Sequence, residues 1–165
     1  MTDTPATPKK TTPEEKRRMK SAARLYAVQA LFQMEAAGQG VDRVAREFES
    51  FRFGMAQEDG AEELAEGDLN LFRRLLDDAV MWQAKIDQAT DRALVAKWPI
   101  DRIDPVLRAL FRAAGAELST PATPVKVVIN EFVEVARAFF PEGKEPKFVN
   151  AVLDHMAREL RPEAF

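Results

Sequence analysis

Apolar residues recur along most of the chain at intervals of three and four, the spacing that turns one face of an α-helix toward a core. Residues 16–35 contain neither proline nor glycine, and good helix formers run up to a stop at Gly38-Gln39-Gly40, which predicts a long first helix. Over 22–34 its apolar side chains (Leu25, Tyr26, Val28, Leu31, Phe32, Met34) fall on every side, the pattern of a helix surrounded by others. In the half before that, Arg17, Lys20 and Arg24 stand at i, i+3 and i+7 and share one face. A second helix is predicted over 41–53, with Val44, Phe48 and Phe51 as its stripe. Residues 54–67 are acidic and nearly devoid of apolar positions, which reads as a loop.

Asp68 has the character of an N-cap for a long helix reaching about residue 95, kinked near Ile86 and turning Leu69, Phe72, Leu75, Leu76, Val80 and Ile86 inward. Trp98-Pro99 ends it, because proline disfavours helix at the residue before it. Asp104-Pro105 and Thr123-Pro124 then repeat one start signal, a capping side chain followed by proline at the first helical position, opening helices over 105–118 and 124–140. A last helix follows Pro141-Glu142-Gly143, with Val149, Val152, Leu153, Met156 and Leu160 inward. No strand-like alternation competes with these, so the fold class is all-α, with about seven helices. Residues 1–13 are threonine- and proline-rich with almost nothing apolar, and are expected to be a disordered lead-in to one compact domain over 14–165.

Composition narrows the chemistry. The 165 residues are 46% hydrophobic and 31% charged, with 7 Gly and 10 Pro, which excludes collagen-like, glycine-rich and wholly disordered chains. Cysteine is absent and His155 is the only histidine, so disulfide frameworks, Cys/His zinc sites and cysteine nucleophiles are excluded. Asp154 and His155 are adjacent and point about 100° apart on a helix, which argues against a His155 general base. Asp101 and Asp104 make a poor carboxylate pair, since Asp104 before Pro105 is better explained as a cap. There is no glycine-rich phosphate loop and no HExxH helix, so no metal, no cofactor and no catalytic residue is expected. No run of about 18 apolar residues exists and the polar N-terminus lacks a signal core, so the expectation is a cytoplasmic protein with no membrane association.

The net charge of −3 conceals an asymmetry. Residues 1–24 hold seven Lys/Arg against three acids, a local +4, while residues 35–91 hold fourteen acids against six bases, a local −8. A basic end can meet a polyanion while an acidic flank meets a basic protein; a solvated face with a floppy tail is the plainer reading of the same split. Among eleven Phe, most at core spacing, Phe148 stands at the rim of the last stripe between Lys147 and the amide of Asn150. Stacking, phosphate contact and base-edge hydrogen bonding are what single-stranded RNA readers combine, although spacing alone favours the core for Phe148.

Four blocks in order strengthen the RNA reading. Ala27-Val28-Gln29-Ala30-Leu31-Phe32 resembles the "AVQALY" of the NusB family of bacterial transcription antitermination factors. Arg112-Ala113-Ala114-Gly115-Ala116-Glu117-Leu118 resembles its "RLAxYEL" stretch. Val127-Val128-Ile129-Asn130-Glu131, with Val133-Glu134-Val135-Ala136-Arg137, resembles its "VxINExVELAK" helix, and residues 147–154 resemble "KFVNGVLD". The resemblance implies a helical protein of two packed sub-bundles that binds boxA-type single-stranded RNA with the ribosomal protein NusE. It implies assembly with other Nus factors and RNA polymerase, and read-through of terminators, notably in ribosomal RNA operons. It implies RNA contacts from the basic start of the first helix and part of the last, here Arg17, Arg18, Lys20, Arg24, Lys147, Phe148 and Asn150. Phe32 and Glu35, at the other end of the first helix, are the expected partner contacts. Five positions depart from the family: Ser21 and Ala22 stand for arginines, Ala151 for the glycine of "FVNG", Leu107 for an acid facing the partner, and Phe32 for a tyrosine, keeping the ring but losing the hydroxyl. Two other functions compete: the front module of an RNA methyltransferase, against which the absence of a Rossmann-type strand and methyl-donor loop counts, and a helical adaptor without an RNA role.

Overall fold

The computed structural model describes residues 12–50, 63–97 and 103–165, with the helical backbone alone at 63–68 and 97. Seven α-helices are described: α1 (Pro13–Ala37), α2 (Val41–Phe48), α3 (Glu63–Met81), α4 (Gln83–Lys97), α5 (Pro105–Leu118), α6 (Val125–Phe139) and α7 (Glu145–Leu160), followed by a 3-10 turn, Pro162–Ala164. No strand occurs among the described residues.

The architecture is all-α around α5. From Ala109 to Leu118 every residue but Arg112 is buried, and Phe72, Phe111 and Phe132 are the largest fully buried side chains. On one side α1, α2 and α3 pack on each other; on the other α7 packs against α4 and α6. α5 touches both groups, and α1 also meets α6 directly. α4 approaches α5 tightly at Gly115, where a Cβ would sit 2.4 Å from Ile86 Cγ2. Only glycine permits that spacing.

Several expectations are corrected. α1 starts at Pro13 with Thr12 as its cap, so the end of the expected lead-in belongs to the helix start; residues 1–11 lie outside the described residues. α2 ends at Phe48 rather than residue 53, passing into a π turn at 49–50; Phe51 lies outside the described residues. α3 begins at Glu63, so 63–67 is helix and Asp68 is interior rather than a cap. The helix break falls at Trp82, one turn before Ile86, and costs little because Trp82 N–H still donates to the Asp78 carbonyl and Ile86 N–H to that of Trp82, both at 2.9 Å. Val80 is exposed; Phe72, Leu75, Leu76 and Ala79 form the buried stripe and Val80 lies one step off it. The Trp98-Pro99 stop lies outside the described residues.

Asp104 caps α5 as expected, its Oδ1 accepting from Val106 N–H at 2.7 Å. Thr123 does not cap α6: Pro124 is extended at φ −57, ψ 144 and occupies the cap position itself. The Thr123 carbonyl instead accepts from the guanidinium of Arg161, which also binds the carbonyls of Glu117, Leu118 and Thr120. A buried cation thus closes the C-terminal end of α5, where free carbonyls and the helix dipole favour positive charge.

Candidate nucleic-acid interface

α1 is held at its first turn by a reciprocal cap. Glu15 N–H donates to Thr12 Oγ1 and Thr12 N–H to Glu15 Oε2, each at 3.1 Å. Arg17, Arg18 and Lys20 project from this fixed end, all exposed, with no hydrogen bond or ion pair to a described residue. Arg17 and Lys20 lie on the stripe that one turn later carries Ser21 and Arg24 onto α5 and α6.

Arg24 corrects the expectation of a phosphate contact. It is 3% exposed and forms a fork with Glu117 of α5, Nε to Oε1 and Nη2 to Oε2, both 2.8 Å. Its Nη1 lies 3.5 Å from Glu131 Oε2 of α6. Burial pulls the Arg24 pKa down, but the hydrogen bonds and charge of Glu117, with the charge of Glu131, outweigh it and raise the pKa above the ordinary value. A guanidinium so enclosed has no donor to offer a polyanion; it joins three helices. Ser21 donates to Glu131 Oε2 at 2.7 Å.

The start of α7 supplies the second half of the surface. Lys147 and Asn150 are exposed and line a groove of about 530 Å³ between α6 and α7, with Asn130 and Glu131 on its other wall. Phe148 is half-buried, its ring edge-on to that of Phe111 at 6.1 Å between centroids and 76° between planes. One part of the ring is anchored by the core and the rest reaches the surface. Glu131 joins the halves, because it lines the groove and also accepts from α1.

The far end of α1 differs. Phe32 is 38% exposed, against the expectation that this half is enclosed on every side, and it lines an apolar groove of about 480 Å³ with Val28, Phe48, Val106 and Phe139. Gln29 Oε1, also lining this groove, is buried without a hydrogen bond. Glu35 is half exposed, and its Oε2 accepts from Arg112 Nη1 at 2.8 Å, while Arg112 forks onto Asp87 at 3.1 Å. Leu107 is buried.

Sequence reasoning missed Ser21, Glu117 and Glu131 as a set. Their only signal was that α1 carries an arginine among alanines; its partners lie 93 residues or more along the chain. Among the described residues no group of three or more His, Asp or Glu side chains could hold a metal ion, and no helix is long and apolar enough to cross a membrane.

A family model described as the NusB family matches residues 21–158. The chain belongs to the NusB family. It is 48% identical over 162 residues to the transcription antitermination protein NusB of Maricaulis maris, spanning 97% of this chain and 99% of that one. It is 43% identical to the same-named protein of Granulibacter bethesdensis over 90% of this chain and 93% of that one. The solved structure of NusB from T. maritima superposes with a TM-score of 0.64 at 28% identity, covering 93% of this chain and 96% of that chain. The protein is thus a NusB-family transcription antitermination factor with the family's all-α fold.

Proposed function

We propose that this NusB-family protein acts without catalysis, by binding boxA-type single-stranded RNA in the cytoplasm jointly with the ribosomal protein NusE. Other Nus factors and RNA polymerase complete the assembly, which reads through terminators, notably in ribosomal RNA operons. The observation that carries this reading is the continuity of the exposed cations of α1 with the α6–α7 groove through Ser21 and Glu131. Arg17, Arg18, Lys20 and Lys147 contact phosphates, Phe148 stacks on a base, and Asn150 hydrogen-bonds to a base edge. Phe32, with Glu35 beside it, receives NusE at the other end of α1.

Titration of a boxA-like RNA in the presence and absence of NusE tests this. RNA affinity rises when NusE is present, and by linkage NusE affinity rises equally when RNA is present. If NusE leaves RNA affinity unchanged, the joint-binding reading is wrong.

A further inference from the structure

The α6–α7 groove carries a group that phosphate binding does not need. Glu131 lines it beside Asn130, Lys147 and Asn150, with its side chain 25% exposed. Both of its contacts, the Ser21 hydroxyl at 2.7 Å and Arg24 Nη1 at 3.5 Å, fall on Oε2. Oε1 accepts no hydrogen bond from a described residue. An ionised carboxylate only accepts hydrogen bonds, as does a phosphate, so the two repel. Glu134, also on the groove wall, is paired with Arg137, which leaves Lys147 as a groove cation without a carboxylate partner among the described residues. Beside the Lys147 ammonium the groove therefore offers a fixed acceptor and two amides, whereas the exposed cations of α1 lie outside it.

Resting on the RNA-binding reading above, we propose that Glu131 is a specificity-determining residue: its Oε1 accepts a hydrogen bond from the exocyclic amino group of an unpaired base in the groove. Ser21 and Arg24 are positioning residues that hold the carboxylate through its other oxygen. Adenine, cytosine and guanine present such an amino group to a carboxylate, as glutamate accepts from cytosine N4 in duplex readout. Uracil presents only an N–H flanked by two carbonyl oxygens, which repel the carboxylate.

The test is a positional scan on a single-stranded RNA that the full chain binds, replacing each adenine, cytosine or guanine in turn by the analogue lacking the amino group. For the wild type, one position loses about tenfold or more in affinity, the discrimination a good base-edge contact supplies. Glu131→Gln, whose amide oxygen still accepts from Ser21, loses that penalty. Glu131→Asp keeps the charge but withdraws it by one methylene and shows the same loss, while Ser21→Ala, outside the buried pair, shows a partial one. Salt dependence is unchanged in all three. The inference is overturned if these variants keep the wild-type penalty, or if Glu131→Gln tightens binding to every RNA by one common factor, which marks Glu131 as part of an ion-pair network alone. A wild type that binds no single-stranded RNA removes the RNA-binding reading itself, and this inference with it.

Discussion

Arg24 and Arg17 share a residue type and a helix face, yet their surroundings give them opposite roles. Removing one partner of a buried pair strands the other charge, so Arg24→Ala is expected to cost about 3 to 5 kcal/mol of stability in a urea melt. Arg17→Ala, exposed and unpaired within the described chain, changes stability by less than about 0.5 kcal/mol. Equal losses would contradict the assignment of Arg24 to the core. Phe148 sits between the two cases. Phe148→Leu keeps much of the packing on Phe111 and removes the ring, so stability falls by less than about 1.5 kcal/mol while RNA binding loses about 1 to 3 kcal/mol. A large melting loss with RNA affinity intact per folded molecule would return Phe148 to the core. Sequence periodicity was enough to put Arg17, Lys20 and Arg24 on one face, because that depends on the helix alone. It could not show that Glu117 and Glu131 meet the last of them, because that contact exists only after α5 and α6 have packed.

At the scale of elements, helix positions were legible wherever local chemistry decides them. Asp104-Pro105 and the Gly38 stop are local signals, and Gly38 adopts the left-handed φ of 64 that a glycine terminator supplies. Thr123-Pro124 misled, since the long-range grip of Arg161 on the Thr123 carbonyl fixes that residue outside α6. The Trp82 break was illegible because Val80, Met81 and Trp82 are apolar and read as a continuation of the stripe, although in the fold residues 80–85 are all exposed. The α4–α5 approach gives the sharpest packing prediction. Gly115→Ala places a methyl 2.4 Å from Ile86 Cγ2 and is expected to cost about 1 to 3 kcal/mol. In an Ile86→Ala background that clash is gone, so the double variant is more stable than the sum of the single losses predicts. Strict additivity in denaturant melts would contradict the contact.

At the scale of the molecule, two surfaces lie at opposite ends of α1, a basic one continuous with the α6–α7 groove and an apolar one around Phe32. Phe32→Ala is expected to weaken NusE binding while leaving RNA affinity in the absence of NusE unchanged; a loss of stability alone would contradict a docking role. An acidic flank facing a basic protein raises association rate and selectivity more than affinity. The central claim is that the capped end of α1 meets RNA through phosphates, and the salt dependence of binding tests it most directly. Each phosphate contact on single-stranded RNA adds about 0.7 to the slope of log affinity against log salt, so the Arg17→Ala/Lys20→Ala double variant is predicted to lose about 1.4 of slope with unchanged melting. A double variant with the wild-type slope would contradict the claim.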